Sequence, residues 1–313
     1  MTTKSDAYDE YWHFAHKRNE VFRAKNDLDN SLTIDDPILE KFKFTNCYRV
    51  LDRTTQFLLR EVIYSKSFSP EDTFFRTILF KLFNKIETWE HLESTLGEIT
   101  LSSFNPETYC KILTTHKANA SRLYSAAYIM PSGKKEYGSS VKHENNIKML
   151  QAMIKDNLHK KVWEISDLKD LYETLLKIPT IGPFLAYQYA IDLTYSHYSS
   201  TSEEQFVVAG PGAVRGIKKC FLSLGGKSYE YVIRQMVESQ QFEFEKLGID
   251  FRYMGGRPLQ LIDCQNLFCE VDKYLREKRP DLGNPNSRIK QLYRPKNNKV
   301  LYFFPPTWDI KKI

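Results

Sequence analysis

The stretch Leu175-Leu176-Lys177-Ile178-Pro179-Thr180-Ile181-Gly182-Pro183-Phe184-Leu185-Ala186-Tyr187-Gln188 sets two prolines and a glycine between two apolar helical patterns. Pro179 disfavours helical geometry in the residue before it and ends the first pattern at Ile178. Pro183 suits the first turn of a second helix, where an amide hydrogen would have no partner anyway. The reading is helix, tight turn, helix. Backbone N–H groups at such a turn, with the positive end of the following helix, can hold one phosphate without reading a base. Thr180, Ile181 and Gly182 are therefore candidate phosphate-binding residues. After a serine-rich gap comes Gly210-Pro211-Gly212-Ala213-Val214-Arg215-Gly216, whose glycines give a backbone room to approach a ligand, while Arg215 and Lys218 favour anionic groups.

Working outward, the pattern is helical in both directions. Asp36 before Pro37, Ser69 before Pro70 and Asn105 before Pro106 each pair an N-cap residue with proline at the first helical position. Ser166-Asp167 caps the helix that carries Leu171 and Leu175. Tyr11 to Ala24 and His143 to Ile154 repeat apolar residues at helical spacing. Phe44 to Val62 reads as one further helix with Asn46, Arg49, Asp52 and Arg53 as polar members, whose simplest role is a structural network of paired charges. Only Gln205 to Val208 and Val300 to Phe304 look like strands. The fold class expected is mainly α with minor β, a single compact helical unit over residues 1–313 divisible into a helical lobe (about 1–160), a hairpin and catalytic lobe (161–280) and a basic, aromatic tail (281–313).

The chain has 313 residues, of which 42% are hydrophobic and 27% charged, with a mean hydropathy of −0.49, which suits a water-soluble globular protein. No signal peptide or membrane-spanning run is read from it, so a cytoplasmic location is expected. Five cysteines, Cys47, Cys110, Cys220, Cys264 and Cys269, are too few and of the wrong number for a disulfide framework, and they lack the companions of a zinc site. Neither metal nor cofactor is expected. The net charge of +6 is concentrated in Lys273, Arg276, Lys278, Arg279, Arg288, Lys290, Arg294, Lys296 and Lys299, interleaved with or followed by Tyr293, Tyr302, Phe303, Phe304 and Trp308. Such a mixture suits a nucleic-acid backbone and an unstacked base, although charge runs more often only face water.

The hairpin resembles the helix-hairpin-helix element of base-excision DNA glycosylases, whose turn reads Leu-Pro-Gly-Val-Gly; Thr180 stands in place of its first glycine. In those enzymes a Val-Asp-Thr-His-Val-x-Arg stretch follows, and registering its arginine on Arg215 puts Gly210 where the catalytic aspartate sits. A wider set of motifs is similar to the α-glutamyl/putrescinyl thymine pyrophosphorylases and the helical domain of the 5-hydroxymethyluracil DNA kinases. These are Asp36-Pro37-Ile-Leu, Phe44-Thr45-Asn46-x-x-Arg49-x-x-Asp52-Arg53, the hairpin, Gly210-Pro-Gly-Ala, and Asp263-x-Gln265-Asn266-x-x-Cys269-Glu270-x-Asp272-Lys273-Tyr274. The resemblance implies a helix-hairpin-helix, glycosylase-like fold acting on modified pyrimidines in double-stranded DNA, with the base flipped into a pocket.

Candidate catalytic acids are Asp263 and Glu270, seven residues apart on one helical face, then Asp192, Glu204 and Asp272. Lys273 and Arg276 join the phosphate-binding set, and Gln265, Asn266 and Tyr274 join Gly210, Pro211 and Gly212 as base-pocket candidates. Two chemistries are open, together with a third reading without catalysis. The leading expectation is a DNA glycosylase that leaves an abasic site, with a carboxylate activating water. The alternative is an amino-acid or polyamine transferase that displaces pyrophosphate from an activated 5-hydroxymethyluracil in DNA, which Gly210 in place of aspartate favours. A non-catalytic DNA-binding module is the third. No Gly-x-x-x-x-Gly-Lys-Ser/Thr phosphate loop is present, which disfavours a kinase activity.

Overall fold

The computed structural model describes residues 1–26, 35–119, 122–283, 291–294 and 301–310. Of the basic tail, Arg288, Lys290, Lys296 and Lys299 lie outside the described residues, as does the start of the expected strand at Val300. The chain divides into two units, each discontinuous in sequence. The first comprises Met1–Asp52, Val207–Tyr302 and Ile310–Ile313, and the second Arg53–Phe206 and Phe303–Asp309. Residue 160 lies inside the second unit.

The first unit opens with strand β1 (Thr3–Lys4) and helices α1 (Tyr8–Lys25) and α2 (Pro37–Lys41). The second carries α3 (Arg53–Phe57), α4 (Pro70–Phe83), α5 (Ile86–Leu96), α6 (Pro106–Ala118), α7 (Lys134–Tyr137), α8 (Lys142–Lys155), α9 (Leu158–Lys161), α10 (Leu168–Leu176) and α11 (Pro183–Thr194). The first unit resumes with α12 (Pro211–Cys220), β2 (Phe221–Ser223), α13 (Tyr229–Lys246) and α14 (Leu261–Lys278). The fold is thus mainly helical. Its named strands, β1 and β2, pair antiparallel with Thr3 opposite Ser223, and residues 205–208 are not among them.

The expected caps form as read. The Asp36 side chain accepts from the amides of Ile38 and Leu39, Ser69 from Asp72, Asn105 from Thr108, and Asp167 from Lys169 and Asp170. Each satisfies donors that a helix start leaves open, worth about 1 kcal/mol apiece. The single helix expected over Phe44 to Val62 does not form. Residues 43–48 run without regular structure, a 3-10 turn follows at Arg49–Leu51, and Asp52 is extended before α3 begins. The reason is local: the Asp52 carboxylate accepts the Asn46 amide at 3.0 Å, and the Asn46 side chain donates to the Leu51 carbonyl at 2.8 Å. Asp and Asn side chains of this kind compete with helical hydrogen bonding.

In the first unit α14 is almost wholly buried. Its Phe268 ring meets Tyr11 of α1 at 4.5 Å, and Tyr274 meets Phe14 at 5.1 Å. The Tyr274 hydroxyl donates to Asp36 at 2.7 Å, so this residue anchors the helix in the core instead of lining an open pocket. The glycine-rich stretch also has a different use from the one expected. A Cβ on Gly212 would overlap the Cys269 side chain, and one on Gly216 would overlap the Phe268 backbone carbonyl. The space these two glycines leave is filled by α14, which brings the two helices into close contact; it is not room for a ligand.

The second unit is built around α4, in which every residue from Thr73 to Phe83 is buried. Arg76 sits inside it with its guanidinium donating to the carbonyls of Val62 and Ile99, each at 2.7 Å, and of Glu61 at 2.9 Å. Burial lowers its pKa to about 10, still well above neutrality.

Replacing Gly216 with alanine is expected to destabilise the protein by about 2 kcal/mol, because the atom it meets is rigid backbone. Gly182→Ala, where a Cβ meets nothing within 4 Å, is the control and should stay within about 0.5 kcal/mol of wild type. Chemical denaturation of the two variants checks the difference.

Candidate functional site

The extended segment 44–52 lies along one face of α14 and carries the polar residues of the first unit with it. Asp263 closes the first turn of α14, one oxygen accepting the Gln260 amide at 2.9 Å and the other the Arg49 amide at 2.7 Å. Two turns on, Glu270 accepts the Thr45 amide at 3.4 Å and pairs with Lys273 at 2.6 Å. Helical spacing puts Asn266, half-buried, on the same face between them.

Arg18 reaches this segment from α1. Its guanidinium donates to the Thr45 carbonyl at 2.9 Å and the Asn46 side chain at 2.5 Å. Its Nη1 and the Thr45 hydroxyl are buried and have no hydrogen-bond partner among the described residues. Asp52 completes the cluster. Burial pushes its carboxyl up to about 6; the Asn46 amide and Arg18 act against the rise, while Glu270 adds to it. Asp52 and Arg18 are each half-buried, so the cluster forms a polar crevice that reaches solvent at one edge. One Asp52 oxygen takes the Asn46 amide, and the other has no hydrogen bond among the described residues.

A carboxyl pushed up to about 6, with one oxygen unpartnered among the described residues, is suited to accept a proton near neutral pH. A fixed arginine donor beside it can stabilise negative charge that develops during a reaction. Arg18 and Asp52 were not among the site residues expected from sequence: Arg18 reads as a polar member of an ordinary amphipathic helix, and Asp52 as part of a structural network. The available signal was the Asn46-x-x-Arg49-x-x-Asp52 spacing.

The other candidate acids are committed to protein partners or lie elsewhere. Asp272 holds Arg215 and Lys219 at 3.0 Å each, together with Arg276. Burial alone would raise its pKa, but these hydrogen bonds hold it below the usual carboxylate range. Arg215 remains more than half exposed, and Lys218 and Pro211 are exposed beside it, whereas Gly210 is buried at the start of α12. Gln265 is buried on the far side of α14, and its Oε1 has no partner among the described residues. Asp192 belongs to the second unit, where it is fully buried against Lys81 at 3.0 Å. Glu204, also in the second unit, is exposed.

The hairpin itself lies in the second unit, between α10 and α11. Thr180 takes φ of +76°, the left-handed geometry that its glycine counterpart would adopt without strain. The turn keeps its shape because the Ile181 amide donates to the Ile178 carbonyl at 3.1 Å and the Thr180 hydroxyl reaches the Met149 sulfur at 3.4 Å. No side chain caps α11 at Gly182. Among the described residues no group of three or more metal-ligating side chains occurs, and no helix is long and apolar enough to cross a membrane.

The folded state holds the Asp52 proton more tightly than the unfolded chain does, so this carboxyl favours folding below about pH 4, and that contribution is lost as pH rises through about 6. Asp52→Asn is therefore expected to gain stability relative to wild type as pH rises from 4 to 7. Thermal melts of both proteins across that range check it; a constant gap would mean that Asp52 titrates normally. Thr180→Gly relieves the left-handed backbone and should leave stability equal or raise it by up to about 1 kcal/mol, against the reverse for a right-handed threonine.

The sequence matches the 5-hmdU DNA kinase helical domain over residues 5–284. It is 27% identical over 300 residues to a 5-hmdU DNA kinase of Bacillus phage SP10, an alignment that covers 89% of this chain and 46% of that protein. The chain thus spans about half the length of this curated relative. No solved structure matches it. The relative is a kinase and hence a transferase, so the expectation of a hydrolytic DNA glycosylase is corrected: the group that shares these motifs is named for transfer to DNA, not for base excision. Over most of its length, the chain belongs to the 5-hmdU DNA kinase helical-domain family.

Proposed function

We propose that this protein acts on DNA containing 5-hydroxymethyluracil, as a transferase working at the exocyclic 5-hydroxymethyl group. The observation that carries the reading is the first-unit crevice, in which Asp52, its carboxyl pushed up to about 6 by burial, lies near Arg18, whose buried Nη1 has no partner among the described residues. The chain contains no phosphate loop of the Gly-x-x-x-x-Gly-Lys-Ser/Thr type, so a nucleotide-driven phosphorylation is not assigned to it.

The reaction this site suits is displacement at an activated hydroxymethyl group. An amine nitrogen attacks the exocyclic carbon, the bond from that carbon to the pyrophosphate oxygen breaks, and the bonding pair leaves with pyrophosphate. Asp52 takes the proton that the amine loses, and the Arg18 Nη1 proton faces the negative charge that develops. Asn266, on the same helical face, is placed to hydrogen-bond the pyrimidine edge. The second-unit hairpin supports DNA engagement, since the turn with Thr180 left-handed and the side-chain-uncapped start of α11 offer backbone N–H groups of the sort that can hold a phosphate. A flipped base is required for access to the exocyclic carbon in a duplex.

The test uses a duplex carrying the pyrophosphate ester of 5-hydroxymethyluracil, incubated with the protein and a panel of amines and amino acids. Pyrophosphate release and nucleoside mass spectrometry are the readouts. Wild type is expected to give a heavier nucleoside with its glycosidic bond intact, and Asp52→Asn to lower the rate at least about 100-fold. Absence of product with every amine, or an unchanged rate in Asp52→Asn, would sink the reading.

A further inference from the structure

Beside the hairpin the second unit presents an apolar, aromatic surface that the transfer chemistry does not use. Phe184, the second residue of α11, is 38% exposed and stacks on Tyr128 with ring centroids 5.6 Å apart and planes 12° from parallel. Tyr128 adopts φ of +55°, a conformation that bulky residues rarely take and that costs about 1 kcal/mol or more. The next residue, Ile129, is 68% exposed. The strained backbone is held from beneath by the buried Lys81 ammonium, 4.6 Å from the Tyr128 ring centroid, and by Ser125, whose amide donates to Phe83 at the end of α4. Ile129 thus extends the partly exposed ring pair into one apolar surface on a strained but anchored loop.

The surroundings identify the occupant. The loop that follows Ile129 packs on the hairpin turn: a Cβ on Gly133 would lie 3.7 Å from Thr180, and the Tyr137 hydroxyl donates to the Pro179 carbonyl at 3.4 Å. Lys134 and Lys135 at the start of α7, Arg122 before the Tyr128 loop and Lys177 before the hairpin turn are all exposed, so the segments that carry the ring pair and the turn also carry cations. Exposed cations on these segments, a turn with backbone N–H groups suited to a phosphate, and a partly exposed stack of rings match a polynucleotide whose backbone lies on the turn and whose base lies on the rings.

We propose that Phe184, Tyr128 and Ile129 form a stacking platform for a DNA base adjoining the phosphate held by the hairpin. Phe184 and Tyr128 extend the base stack, and Ile129 enters the gap left when a neighbouring nucleotide is drawn out. The inference rests on the DNA-directed reading above but concerns a surface distinct from the Asp52 crevice.

The experiment uses the full chain and a duplex containing 5-hydroxymethyluracil with 5-iodouracil as the neighbouring base. After irradiation, the adduct is located by mass spectrometry of the tryptic peptides 123–134 and 178–215. The expected result is crosslinking to Tyr128 or Phe184, loss of the adduct and about tenfold weaker binding in Phe184→Ala, and recovery of both in Phe184→Trp. Far-ultraviolet circular dichroism confirms that the variants fold. Binding by wild type without an adduct on either peptide, or equal binding by Phe184→Ala and wild type, overturns the platform and leaves the transferase reading standing. Failure of wild type to bind any duplex overturns both.

Discussion

The Asp263 carboxylate ties the start of α14 to the 3-10 turn that holds Arg49, and the first unit's polar crevice depends on that tie. With both oxygens taken by backbone amides, Asp263 fixes where residues 44–52 cross the helix. Glu270 repeats the interaction two turns later through the Thr45 amide. A segment pinned at two points on a buried helix cannot form the helix that its apolar spacing suggests, and the resulting extended path turns Asp52 back toward Asn46 and Arg18.

The acids of the protein sort by what they already hold. Asp272 gathers three cations, Asp192 faces a buried lysine, and Asp263 serves as a cap. These carboxylates are already engaged by fixed protein partners, which leaves them less open to a substrate. Asp52 differs because burial outweighs its compensating interactions, which leaves it near pH 6 with an oxygen directed to no described partner. Arg18 complements it with a donor, Nη1, that has no partner among the described residues.

Much of the architecture was legible because it depends on local rules. The Asp36-Pro37, Ser69-Pro70 and Asn105-Pro106 starts, and the Pro179 to Pro183 turn, are set by the residues involved, and each appears where the sequence places it. Asp52 was hidden because its role comes from α1 and α14, which are far from it in sequence. The glycines of α12 misled for a related reason: room for a backbone to approach looks the same whether the visitor is a ligand or another helix, and only the position of Phe268 decides it. Thr180 shows the opposite case, a residue that seems wrong for a left-handed position but is held there by its neighbours. The division into two units was not readable from composition, because one of them joins the first 52 residues to the region after residue 206.

The central claim is that the Arg18–Asp52 crevice receives the hydroxymethylated pyrimidine. Its most direct test is the ratio of equilibrium affinities for duplexes containing 5-hydroxymethyluracil and thymine, measured for wild type and for Arg18→Lys, which keeps the charge but removes the Nη1 donor. Wild type should prefer the modified duplex by at least about tenfold, and Arg18→Lys should lose that preference while binding the thymine duplex as before, since one charge-assisted hydrogen bond is worth about 1.5–3 kcal/mol. Equal ratios in the two proteins would contradict the assignment of this crevice as the base site.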